Sequence, residues 1–133
     1  MSVAGQPGSE SENNIEVRVI TQYIPEQSSP DRSEYVFAYT ITITNSGSEA
    51  AQLISRYWRI TDANDEVLEV RGEGVVGQQP YLEPGESYRY TSGTVLKTAV
   101  GYMQGSYQMR SKTGMEFDAA VAAFSLSLPT ALH

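Results

Sequence analysis

From Ile15 onward, apolar and polar residues alternate with a period of two, and turn-forming residues interrupt the alternation about every ten residues. Successive side chains on an extended strand point to opposite faces, so this pattern buries one face of each strand. Ile15, Val17, Val19, Thr21 and Tyr23 fall on one face of a first strand, with Glu16, Arg18 and Gln22 on the other. After a polar loop over Pro25–Ser33, Tyr35, Phe37, Tyr39, Ile41 and Ile43 alternate with Val36, Ala38, Thr40, Thr42 and Thr44, and Asn45–Ser48 stops the run. Further strands are predicted over Ala51–Asp62, Val67–Val70, Tyr88–Ser92, Val100–Met109, Met115–Asp118 and Ala122–Leu128. Turns are predicted at Asp62–Asp65, Glu83–Glu86 and Ser111–Gly114. No window of ten residues carries a 3.6-residue period, and Ala119–Phe124 is the one helix-leaning patch. The expectation is an all-β antiparallel sandwich or small barrel of seven or eight strands.

Length and charge narrow the setting. A chain of 133 residues makes one domain with a single core, expected over 15–133 behind a Gly, Ser, Glu and Asn-rich mobile tail over 1–14. Cysteine is absent, so no disulfide contributes, which fits the cytosol. The net charge of −7 offers no positive field for nucleic acid. The N-terminus lacks the basic and apolar regions of a secretory signal, and no apolar run is long enough to span a bilayer. A cytoplasmic protein is expected.

Gly72, Gly74 and Gly77 match the letters G-x-G-x-x-G. A dinucleotide fingerprint also requires a helix directly after the glycines, whose N-terminus holds the pyrophosphate. Pro80 and Pro84 follow too soon for a helix, and no Gly-Lys-Ser/Thr follows for a phosphate loop. Two readings stay open. One is a tight loop using glycine's positive φ. The other is a small anion-binding concavity of backbone amides, charged by Arg56 and Arg71 with Arg59 nearby.

Other chemistry has little support. The single histidine is the terminal His133, which with the absence of cysteine excludes the usual zinc sites and histidine-dependent nucleophiles. Asp62–Glu66 resembles the start of a calcium loop, but Val67 stands where that loop requires glycine, so a solvated turn is expected. No pair of carboxylates stands out, although Glu73 and Asp118 keep catalysis open in three dimensions. Tyr57 and Trp58 are adjacent in a strand, so one ring faces the core and the other the surface. Arg56 shares a face with Trp58, which allows a cation–π contact.

Several separated motifs together resemble the ApaG family. They are Leu53–Trp58, Ile60–Asp62, Gly72–Gly77 with Gln79-Pro80, Pro84–Glu86, Tyr90–Gly93 and Gly105–Met109. The resemblance runs from Ile15 to the C-terminus and implies an immunoglobulin- or fibronectin type III-like sandwich. It also implies an association with Co²⁺ resistance and Mg²⁺ efflux, and an interaction role like that of similar domains in F-box and polymerase-interacting proteins. The chain departs from the family at Tyr57, where many members carry histidine, at Thr94, where many carry cysteine, and at Glu73, commonly proline. The resulting expectation is a non-enzymatic binding or adaptor protein, linked to Co²⁺ and Mg²⁺ indirectly, with no metal site and no cofactor. Tyr57, Trp58 and Tyr90 are candidates for a protein-interaction surface. The alternative is a phosphate, pyrophosphate or nucleotide sensor using Gly72, Gly74, Gly77, Arg56 and Arg71. A monomer or weak homodimer is expected, since exposed edge strands permit pairing.

Overall fold

A computed structural model describes residues 13–129. The tail expected over residues 1–14, up to residue 12, and His133 lie outside the described residues. Eight antiparallel strands follow one another: β1 (Ile15–Tyr23), β2 (Tyr35–Asn45), β3 (Ala51–Asp62), β4 (Val67–Glu73), β5 (Tyr81–Leu82), β6 (Ser87–Leu96), β7 (Val100–Ser111) and β8 (Glu116–Ser127). One sheet has the order β1-β2-β6. The other has the order β4-β3-β7-β8, with β5 added to β3. The two pack as an immunoglobulin/fibronectin type III-like sandwich, the type that the family resemblance implies and one of the two architectures that the alternation leaves open.

Phe37, Tyr39, Ile41 and Ile43 of β2 project every second residue into the core. Across from them, Trp58 is surrounded edge-to-face by Tyr39, Tyr107 and Phe124, with ring centroids 5.9 Å away in each case. Such pairs add to what ring burial alone contributes.

Two bulges break the period-two rule, and both matter. In β3 the register against β7 slips between Leu53 and Ser55. Leu53 is buried, and so are Trp58 and Ile60, although their positions differ in parity. The extra residue, Ile54, thereby turns Arg56, Trp58 and Ile60 inward and Tyr57 outward. The second bulge corrects the sequence reading. Met115–Asp118 and Ala122–Leu128 are not separate strands but parts of one strand, β8. Its inward residues change from Ala119 and Val121 to Phe124 and Leu126, because the register slips opposite Met103–Gly105. A parity switch inside a continuous strand looks like a break to a reader expecting strict alternation.

The sandwich has two seams. At one, β1 and β8 approach closely; at the other, the edge strands β4 and β6 do not. Among the described residues β4 pairs only with β3, and β6 only with β2, so each faces this open seam with an edge that no described strand pairs.

Candidate functional site

The glycine segment lies at one end of the open seam. Gly72 belongs to β4 and stands opposite Arg56 of β3. A Cβ on Gly72 would come within 2.8 Å of Arg56 Nη1 and 2.9 Å of its Cζ, so the missing side chain makes room for the guanidinium. Arg56 Nη1 donates to the carbonyl oxygens of Glu73 at 3.1 Å and Gly74 at 2.9 Å. Beyond Gly74 the chain closes on itself: Val75 N donates to Gln78 O and Gln78 N to Val75 O, at 2.8 and 2.9 Å. The two residues between them have φ of +47° at Val76 and +79° at Gly77, the signs of a two-residue type I′ turn. Gly74, at φ +63°, also has no space for a side chain, since a Cβ would collide with the Gln78 carbonyl.

This geometry redistributes the roles proposed from sequence. The amides of Gly74, Val75 and Gln78 are spent on protein carbonyls, Gly74 N on Ile54 O at 2.8 Å. Three amides of the segment are therefore unavailable to cradle an anion, and its glycines serve loop geometry and the seating of Arg56. Arg56 itself remains a candidate. It is half-buried, and no carboxylate pairs with it among the described residues. Beside it is a cavity of about 210 Å³, lined by Tyr39, Trp58, Val75, Tyr90, Thr91 and Ser92. The indole Nε1 of Trp58 is buried without a hydrogen-bond partner in the protein. A buried unpaired donor is costly, so this indole N–H is a local weak point of the core.

Arg71 goes elsewhere. It pairs across from Tyr57 on the outer face of the sheet, with its guanidinium carbon 4.3 Å from the Tyr57 ring centroid. The cation–π contact expected between Arg56 and Trp58 is thus made by Arg71 and Tyr57. The Tyr57 hydroxyl donates to Glu69 Oε2 at 2.5 Å, and that bond to a carboxylate raises the hydroxyl's pKa. Arg56 and Arg71 therefore lie on opposite faces of one sheet.

Of the three aromatic surface candidates, only Tyr57 is on the surface. Trp58 and Tyr90 are buried, and the structure corrects both. Tyr90 lies on the inner face of β6, where its hydroxyl shares a 2.6 Å hydrogen bond with that of Tyr107. Burial pushes the Tyr90 hydroxyl up to about 12 and raises that of Tyr107 further, while the nearby Arg56 charge opposes both shifts.

The other end of the open seam was not singled out from sequence. Leu68 pairs with Ile60 and so lies on the inner face of its sheet, yet it is 56% exposed. It overhangs the opposite sheet, and a cavity of about 260 Å³ opens between it, Ile60, Val95 and Leu96. Asp62, Glu66 and Lys97 border the cavity, and Lys97 joins Glu66 across the two edges at 3.4 Å. The Asp62–Glu66 turn is less solvated than expected. Asp62 is buried, and its Oδ1 accepts from Asn64 N and Glu66 N at 2.8 and 3.0 Å. A signal for this end did exist, in the adjacent apolar pair Val67-Leu68, which places one apolar residue on each face of an edge strand.

Glu73 and Asp118 lie along one shallow depression on the outer face with Ser55, Arg71 and Gln108. Among the described residues, no three His, Cys, Asp or Glu side chains are grouped as metal ligands. Also among the described residues, no helix is long and apolar enough to cross a membrane.

Comparison with known proteins places this geometry in context. Residues 25–111 match the family model of the ApaG domain. The chain is 57% identical over 119 residues to Protein ApaG of Azoarcus sp. (strain BH72), covering 90% of this chain and 94% of that protein. It is 54% identical over 125 residues to Protein ApaG of Pseudomonas aeruginosa (strain LESB58), covering 94% and 99%. The crystal structure of a Bordetella pertussis protein described as ApaA superposes with a TM-score of 0.88 at 50% identity, over 90% of this chain and 97% of that one. A second X-ray structure from structural genomics matches with a TM-score of 0.86 at 48% identity, over 92% of each chain.

Proposed function

The chain belongs to the ApaG domain family, and from that premise we propose that it is a non-catalytic cytoplasmic binding module whose ligand lodges in the open seam between β4 and β6. One observation carries the reading: Leu68 faces the interior side of its sheet but is left more than half exposed by the gap between the sheets. Apolar surface left uncovered beside unpaired strand edges favours a contact site. We place the link with Co²⁺ and Mg²⁺, which the family resemblance implies, in the partner that the module engages.

The test is co-purification from native lysate with tagged protein, alongside assays for nucleotide and phosphoester turnover. A specific partner, recovered by the wild type and lost in the Leu68→Glu variant, supports the module. Turnover that disappears on mutation of Glu73 or Asp118 rejects it.

A second reading is a small-anion site. It is favoured by Arg56, a half-buried guanidinium without an acidic partner among the described residues, next to Thr91 and Ser92. Titration of ¹⁵N-labelled protein with pyrophosphate or ATP should then shift the amides of Val76, Thr91 and Ser92. Unmoved peaks at millimolar ligand reject it.

A further inference from the structure

The two cavities of the open seam both border β6, one opposite β4 and the other opposite Arg56 and Trp58 of β3. The apolar one is bordered by Leu68 of β4 and Leu96 of β6. The one beside Arg56, the residue opposite Gly72 of β4, is bordered by Thr91 and Ser92 of β6. Leu68 and Gly72 are four positions apart, as are Ser92 and Leu96, so the cavities are about 13 Å apart at the rise of an extended strand. Side chains four residues apart on a strand share a face. One extended peptide can therefore fill both cavities with residues i and i+4.

The ends differ in charge. Asp62 and Glu66 border the apolar cavity and Asp65 stands in the same turn, with Lys97 the cation in its lining. At the other cavity the charge is the Arg56 guanidinium, to which no carboxylate is bonded among the described residues. A ligand complementary to both carries positive charge beside an aliphatic residue and negative charge four residues further on. The unpaired edge of β6 sets its direction. Antiparallel addition to β6 is the more stable ladder, and it brings the N-terminal end of the ligand to Leu96 and the C-terminal end to Ser92.

We propose that the open seam takes an extended segment of a partner protein as an added strand on β6, with a basic-aliphatic pair at the Leu68 cavity and, four residues after the aliphatic side chain, a carboxylate at Arg56. The proposal rests on the binding-module reading and identifies the partner's chemistry.

The probe is a fluorescein-labelled peptide, Lys-Leu-Thr-Ser-Thr-Glu, followed by anisotropy and by amide shifts of the ¹⁵N-labelled protein. Saturable binding is expected, with shifts along Leu68–Gly72 and Thr91–Leu96. Replacing the peptide's Leu by Ser, or its Glu by Lys, should each weaken binding about tenfold or more, a loss of about 1.4 kcal/mol. These two changes leave the protein untouched, so they cannot act through misfolding. On the protein side, Leu68→Glu and Val95→Lys alter exposed side chains and should weaken binding with little change in thermal stability. Binding that ignores both peptide changes, shifts confined to the outer sheet faces, or no binding at millimolar peptide each overturn the proposal. Co-purification separates it from the reading beneath it. If the wild type recovers a partner that Leu68→Glu loses, while the peptide does not bind or ignores both changes, the added-strand proposal fails and the module stands; if Leu68→Glu retains the same partner, both fail. If neither recovers a partner, both fail.

Discussion

The Arg56 guanidinium lies over Gly72, so close that a single added carbon on the glycine would come within 2.8 Å of it. The two residues face each other across β3 and β4. Glycine is needed there because an arginine is seated against the strand, with its Nη1 bonded to two carbonyls of the adjoining turn. The first glycine of the motif is therefore coupled to a side chain, whereas the second and third are set by backbone conformation.

That coupling is measurable. Gly72→Ala should displace the guanidinium and cost about 1–2 kcal/mol, within the range for overpacking and for lost charged hydrogen bonds. In an Arg56→Ala background the obstacle is gone, and the same substitution should be close to neutral. Urea denaturation of the two single variants and the double variant gives the interaction energy. Additive losses contradict the arrangement.

Val76 sits at φ +47° at the tip of the turn and is 61% exposed. A β-branched residue is poorly suited to that conformation, and the exposed side chain has little burial to offset it. Val76→Asn should raise stability by about 1 kcal/mol, read as a higher urea midpoint with an unchanged slope. A lower midpoint would show that the Val76 side chain makes a contribution that its exposure hides.

Tyr90 and Tyr107 predict how stability changes in alkali. Burial raises the pKa of both hydroxyls above the ordinary tyrosine value, that of Tyr90 to about 12. Above the unfolded-state pKa of about 10, the unfolded chain releases these protons while the folded protein keeps them. Stability is therefore fully present below about pH 10 and is lost as the pH rises toward 12. Denaturation midpoints from pH 8 to 11.5 should show this fall, and Tyr90→Phe should flatten it. The same variant should cost about 1 kcal/mol at pH 7, because Tyr107 loses its hydrogen-bond partner. A flat profile in the wild type contradicts the raised pKa values.

Asn45 offers a test of the loop framework. Its side chain is fully buried and donates to Glu49 O and Leu82 O, both at 2.9 Å, while its Oδ1 accepts from Gly47 N at 2.9 Å. Asn45→Ala leaves these groups without their partner and should cost about 2–4 kcal/mol in chemical denaturation. A loss under about 0.5 kcal/mol would mean that water replaces the side chain readily.

Much of the fold was legible from Phe37, Ile41 and their neighbours, because a half-buried strand writes its pleat into the sequence as a period of two. The glycine segment was legible as a loop for a different reason: Pro80 and Pro84 forbid the helix that a dinucleotide site needs. The inward turn of Arg56 and the continuity of β8 were not. Both depend on a bulge, and the extra residue at Ile54 or at Ala122–Ala123 becomes visible only against a neighbouring strand. Tyr90 was misplaced because tyrosine is amphipathic, and whether its hydroxyl finds water or a buried partner depends on which residue lies across the sandwich.

The sequence by itself determined most of the strands, the turns, the all-β class and the family, since each follows from local periodicity, turn chemistry or separated motifs in order. Only the tertiary structure decided which arginine enters the seam, which aromatic reaches the surface, and that Leu68 stays uncovered. Those outcomes depend on register and on the separation of two edge strands, relationships between residues far apart in the chain that no local pattern encodes.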